Sequence, residues 1–275
     1  MYFATLIFIF GTVIGSFLNV VIFRYGNNLK LKSLVGRSSC MSCKKNLSWY
    51  ELIPVLSFLF QKGKCCSCKS KISWQYAIVE LLTGLIFLAT FYVVNGKSLS
   101  LIQNLQSFQI ASLLYLLTIF SILIVITVYD IKHKIIPDGL SFLFAGLAFV
   151  TVLINSMISF NWIDLLAGPI LATPFAFLWL VSKGEWIGFG DAKLALGIGW
   201  FMGLIDGISS VALAFWIGSI FGVSLILLSK LQTLSFVRDN FTIKSEVPFA
   251  PFLIIGMLLV FFFNWDVLGL KLFLL

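Results

Sequence analysis

Two carboxylates stand where an apolar sequence has little use for charge. Asp191 closes the tetrapeptide Gly188-Phe189-Gly190-Asp191 at the start of one apolar run, and Asp130 follows Tyr129 at the end of another. A charged group at the mouth of a membrane segment is costly and, where kept, usually functional. Two carboxyl groups that meet cannot both ionise easily. The ionised one can then take a proton from a water while its protonated partner donates to a carbonyl oxygen. That division of labour suits hydrolysis of a peptide bond. Glycines at 188 and 190 would let a substrate backbone lie close beside Asp191.

A second cluster is built from sulfur. Cys40 and Cys43 form a C-x2-C pair, twenty-one residues follow, and Cys65 and Cys68 form another. Four thiolates in this pattern can wrap one tetrahedral zinc, each pair making a tight knuckle. Four protein ligands leave no open position, so the metal would be structural and would fold a loop too polar to build a core. Cys66 falls outside the pattern and reads as a bystander. His133, the only histidine, sits between Lys132 and Lys134 and reads as a loop residue, with no Ser/His/Asp or Cys/His pattern around it. Boundary aspartates also serve as helix caps, and Gly-x-Gly-Asp is a good helix-start signal. Asp138, after Pro137, reads as such a cap; Asp164, Asp206 and Asp266 read as solvated groups near the ends of apolar runs.

The elements that must position these groups are apolar helices. With 60% hydrophobic and 11% charged residues and a mean hydropathy of +1.06, the chain is an all-α polytopic membrane protein rather than a soluble domain. Eight apolar segments lie near 1–23, 76–95, 110–129, 139–158, 163–182, 190–205, 207–229 and 249–270. The sixth is short and broken by Gly197, Gly199 and Gly203. Residues 1–23 have no basic leader region and no small-residue cleavage site, so they read as a retained first span. Three regions follow: the first span (1–23), a zinc-ribbon-like loop domain with the four paired cysteines (24–75) and a membrane core (76–275).

Orientation comes from the basic residues. The 24–75 loop carries Arg24, Lys30, Lys32, Arg37, Lys44, Lys45, Lys62, Lys64, Lys69 and Lys71. Connections on the same side add Lys132, Lys134, Lys183, Lys193, Lys230, Arg238 and Lys244, leaving only Lys97 and Lys271 opposite. The positive-inside rule puts that side in the cytoplasm. Asp130 and Asp191 both fall at the cytoplasmic boundary, and the thiols face a reducing compartment that favours metal over disulfides. The net charge of +8 is explained by topology and by anionic lipid, not by nucleic acid.

Several separated motifs, in order, resemble the type IV prepilin peptidases. They are Gly15-Ser16-Phe17-Leu18-Asn19-Val20 with Arg24, the two cysteine pairs, Leu52-Ile53-Pro54 with Ser57, and Gly63-Lys64-Cys65. They continue with Ile72-Ser73, Tyr76 and Glu80, Asp130 with Ile136-Pro137-Asp138, Gly188 to Leu194, and Pro248-Phe249-Ala250-Pro251-Phe252, where Ala250 replaces a glycine. The resemblance implies a membrane aspartic peptidase of the bacterial inner membrane with Asp130 and Asp191 as its catalytic pair. It implies a prepilin or pseudopilin substrate, whose short basic leader is cut on the cytoplasmic side after a glycine. It also implies N-methylation of the new terminus with S-adenosylmethionine. Gly63 matches a position implicated in methyl transfer, with Glu80 and Arg24 as further candidates. No G-x-G-x-x-G loop is present, so a methyl donor would bind a non-Rossmann surface.

Two other classes compete. Another GxGD-type intramembrane protease, like presenilin or signal peptide peptidase, would share the two aspartate motifs but not the cysteine loop or the Gly15–Val20 stretch. A transporter or proton relay would place its carboxylates near the bilayer midplane and show inverted repeats.

Overall fold

The computed structural model describes residues 2–25, 38–96, 106–158, 161–230 and 247–269. Lys30, Lys32, Arg37, Lys97, Arg238, Lys244 and Lys271, used above for orientation, lie outside the described residues. The chain forms two compact units, 1–125 and 126–275.

The first unit is built on α1 (Tyr2–Tyr25) and α3 (Trp74–Gly96), with α2 (Leu56–Phe60) and a 3-10 turn (Trp49–Leu52) in the loop between them. Neither of those short elements was expected in that loop. α1 and α3 pack backbone to backbone because small residues face each other. A Cβ added at Gly11 would lie 2.8 Å from the Gly84 Cα, and one at Gly15 2.7 Å from the Glu80 Cα. Helices with no hydrophobic drive to associate in lipid gain from such close approach. Asn19, buried one turn beyond Gly15, donates from Nδ2 to the Tyr76 carbonyl at 3.1 Å and locks the pair at that end.

α4 (Gln106–His133) runs from the first unit into the second. The second unit then holds α5 (Asp138–Ile158), α6 (Trp162–Ser182), α7 (Phe189–Met202), α8 (Leu204–Lys230) and α9 (Ala250–Phe263). Its centre is α7, against which α5, α6, α8 and α9 all pack. The glycines that interrupt the sixth apolar run make this crowding feasible. A Cβ at Gly197 would lie 2.5 Å from the Phe144 ring on α5, and one at Gly199 2.5 Å from the Ala167 carbonyl oxygen on α6. Leu194, Ala195 and Ile198 are fully buried as a result.

All eight expected segments are helical, but their lengths differ from the sequence reading. Six are long and apolar enough to cross a membrane: α1, α3, α4, α5, α6 and α8. α7 and α9 have fourteen residues each, about 21 Å at 1.5 Å per residue, short of a hydrocarbon layer of about 30 Å. α7 stops at Met202, not 205, because Gly203 takes φ +78° and its N–H turns back to the Gly199 carbonyl. α9 stops at Phe263, where Asn264 adopts a left-handed conformation. Among the described residues there are no strands, only two isolated antiparallel bridges, Ser39 with Asn46 and Lys64 with Lys71.

Candidate active site

Asp191 occupies the first turn of α7, and Gly188 caps that helix with an extended backbone. The Asp191 N–H returns to the Gly188 carbonyl at 3.2 Å, so the Gly-Phe-Gly segment folds as a tight helix entry. Asp130 lies three residues before the end of α4. Both carboxylates are therefore at helix ends rather than at mid-span, which disfavours the relay reading. Both are buried, at 4% and 7% exposure for Asp130 and Asp191.

Contacts beside the two aspartates hold their segments together. Ile136, in the corner after α4, packs on Gly190, where an added Cβ would lie 2.7 Å from the Ile136 Cβ. A larger residue at 190 would push the α4–α5 corner away from Asp191. Lys193, its side chain only 14% exposed, forms a 2.6 Å ion pair through Nζ with Asp138 Oδ1 at the start of α5. The same ammonium lies 5.0 Å from the Phe142 ring centroid and 5.1 Å from that of Phe189, within cation–π range. Electrostatically, the Asp130 carboxylate bears on Asp191. The Ala250 N–H, at the start of α9, bears electrostatically on the Asp130 carboxyl. Asp130 Oδ2 and Asp191 Oδ1 are buried with no hydrogen-bond partner. Unpaired buried carboxylate oxygens are expensive, and such exceptions call for an explanation.

Other expectations need correction. Asp138, read as a cap, begins α5 and directs its carboxylate to Lys193. Asp206, read as solvated, has its Oδ1 buried in the first turn of α8. His133 is not in a loop; it closes α4, with its ring 4.5 Å from that of Tyr129. The Lys193–Asp138 pair escaped the sequence reading, although a lysine two positions after Asp191 was its one visible trace.

The four cysteines of the first unit do converge. Their sulfur atoms all lie within 4.8 Å of one another, a set that could hold a metal ion. Cys40 Sγ and Cys68 Sγ are 3.8 Å apart, the edge of a tetrahedron with metal–sulfur bonds of about 2.3 Å. The two knuckles are built alike. The N–H of the residue four places after the first cysteine returns to that cysteine's carbonyl in each, Lys44 to Cys40 at 2.9 Å and Lys69 to Cys65 at 3.0 Å. Both lysines take positive φ, +56° and +59°. One antiparallel bridge flanks each pair.

The electrostatics suit a cation. The N–H groups of Cys43 and Ser42 pull the Cys40 thiol down to about 6. The Ser70 hydroxyl and N–H lower Cys68. At Cys43 the Lys45 N–H works in the same direction, but partial desolvation and the neighbouring thiols outweigh it and push the group up to about 11. The sulfurs oppose one another's ionisation, an opposition a bound cation relieves. Cys66 stays outside the metal-competent set, as expected, and its thiol faces the buried Glu51.

The methyl-transfer candidates Gly63 and Glu80 act at opposite ends of α2. Gly63 has φ +66° and sits over the Phe58 ring. Glu80 Oε2 accepts the Val55 N–H at 2.7 Å. Arg24 lies in the last turn of α1.

Two family models match. The Bacterial Peptidase A24 N-terminal domain covers residues 9–94, and the Type IV leader peptidase family covers 116–223. The prepilin leader peptidase/N-methyltransferase of Bacillus subtilis (strain 168) is 31% identical over 96% of both chains. That decides the assignment. The chain belongs to the type IV leader peptidase family. Proteins of the same description from Aeromonas salmonicida (strain A449) and Vibrio cholerae are 30% and 29% identical, over 93% and 91% of this chain and 89% and 92% of their own. No solved structure matches the chain. As a member of this family, with six helices long and apolar enough to cross a membrane among the described residues, the chain is a multi-pass membrane protein.

Proposed function

We propose that this chain removes the short basic leader of a prepilin or pseudopilin at the cytoplasmic face of the bacterial inner membrane, with Asp130 and Asp191 as the reacting pair, and then methylates the new N-terminus. The observation that carries the peptidase reading is the pair of buried carboxyls, each with an unpartnered oxygen, on segments tied by Gly190–Ile136 and Lys193–Asp138. One carboxylate accepts a proton from the attacking water while the protonated partner donates to the scissile carbonyl. Gly188 and Gly190 leave room for substrate backbone beside Asp191.

Zinc suits the cysteine set by charge, number and spacing, and its role is structural. Residues 24–75 then act as a metal-folded cytoplasmic module between the first span and the core, with anionic lipid as the partner of its lysines. S-Adenosylmethionine, when bound, supplies the methyl group. Asn19 Oδ1, buried without a partner, and the Glu80 carboxylate offer acceptors that suit its amino group. Gly63 and Glu80 brace the two ends of α2, and Arg24, in the last turn of α1, is a further candidate.

The test is co-expression of a prepilin with wild type, Asp130→Ala and Asp191→Ala, followed by immunoblotting of the pilin. Both variants should accumulate at normal levels and leave the leader in place. Normal processing by either one refutes the paired-acid mechanism.

A further inference from the structure

The cysteine loop carries a feature that neither the metal nor the carboxyl pair uses. Helix α2, Leu-Ser-Phe-Leu-Phe, has no charged residue. Phe58 fills the inner side, with its ring 4.8 Å from that of Trp74. Leu56, Leu59 and Phe60, spaced i, i+3 and i+4, share the other side. They are 51%, 59% and 82% exposed. A loop surrounded by water has no use for such a face.

Hydrogen bonds fix its height along α3. Trp74 is the first residue of α3, and Glu80 lies six residues further in, about 9 Å along the axis at 1.5 Å per residue. Val55, the residue before α2, donates its N–H to Glu80 Oε2 at 2.7 Å. Helix side chains lean toward their N-terminus, which draws the contact back by part of that distance. Val55 is still level with the first turns of α3 and not beyond its start. The Ile72 N–H, bonded to the Gly63 carbonyl at 2.8 Å, holds the other end of the segment near the helix entry. At this level a membrane span passes from head groups into hydrocarbon, and Trp74, 68% exposed, is the residue type that favours that boundary. Lys62 and Lys64 follow α2 directly and are exposed.

We propose that α2 is an interfacial anchor, with Leu56, Leu59 and Phe60 seated in acyl chains beside α3 and Lys62 and Lys64 on anionic head groups. The occupant is lipid because the face lies level with a membrane span. The anchor rests on α3 spanning the bilayer and not on the peptidase reading. It pins the second knuckle, which begins five residues after Phe60 at Cys65, to the membrane surface.

Full-length protein in nanodiscs of phosphatidylcholine and phosphatidylglycerol, doped with a lipid bearing a photoactivatable diazirine on its acyl chain, tests this by mass-spectrometric mapping. Lipid adducts are expected on residues 56–60 as well as on α1 and α3. Leu59→Ser with Phe60→Ser should cut the 56–60 adducts several-fold and leave those on α3 intact. Lys62→Gln with Lys64→Gln should abolish any gain in 56–60 labelling from added phosphatidylglycerol. Labelled α3 with unlabelled 56–60 in the wild type overturns the anchor. So do cross-links joining 56–60 of two copies, which would assign the face to self-association. Absence of adducts on α3 as well would remove the span on which the anchor rests. Leader processing by the same wild-type preparation reads the peptidase independently.

Discussion

Lys193 holds the corner beside Asp191, and so bears on the reaction proposed for that carboxyl. Its ammonium binds Asp138 at 2.6 Å between the Phe142 and Phe189 rings, and so ties the entry of α7 to the entry of α5. Asp138 is 70% exposed, and such a pair adds little to stability, about 0–1 kcal/mol. Its value lies in position, since small displacements of reacting groups are costly in rate, about 10²-fold for 1 Å. Lys193→Met and Asp138→Asn should each lower the processing rate by about tenfold or more, with near-normal thermal stability. Because both remove one contact, the double variant should be no slower than the worse single; additive losses would show the pair is not a unit. The aspartates stood out as carboxyls at the ends of apolar runs, and the cysteines were legible in the sequence because type and spacing mark them. The Lys193–Asp138 pair was not, because a residue after Pro137 at a helix start has a sufficient local explanation, and only the folded corner brings it to α7. For the cysteines, purified protein should carry about one zinc per chain. Cys40→Ser or Cys65→Ser should lose it and open residues 38–73 to protease.

Helix existence was readable from hydropathy, and helix ends were not. All eight apolar runs are helical because each is predominantly apolar and carries at most two charges, a pattern that needs no tertiary knowledge. The ends of α7 and α9 depend on single residues adopting positive φ, Gly203 and Asn264, which hydropathy does not register. The glycines of α7 had a packing meaning hidden from the sequence. Gly197 and Gly199 admit Phe144 and the Ala167 backbone to the centre of the unit. Gly199→Leu should therefore cost about 3 kcal/mol or more, since backbone cannot yield as a side chain can. Thermal melting in detergent would read this. An unchanged melting temperature would show that α6 and α7 are not in contact there. Likewise α2 and the 3-10 turn at Trp49–Leu52 are too short to give a periodic signal.

At the scale of the molecule, the first unit carries the sulfur cluster and the second the carboxyl pair, and both family models keep to that order. α7 and α9, fourteen residues each, pack side by side in the second unit. α7 is enclosed by its neighbours, so it is at α9, with Ile255 and Phe263 exposed, that an oily slab about 30 Å thick is left unmatched by some 9 Å. The cheapest relief is for the bilayer to dimple there, at fractions of a kcal/mol per ångström. A dimple at the head of α9, which packs against α7, would bring solvent toward Asp191 without a dedicated pore. Reconstitution in lipids with longer acyl chains should accordingly slow leader removal, and shorter chains should restore it. Equal rates across chain lengths would mean that water arrives by another route.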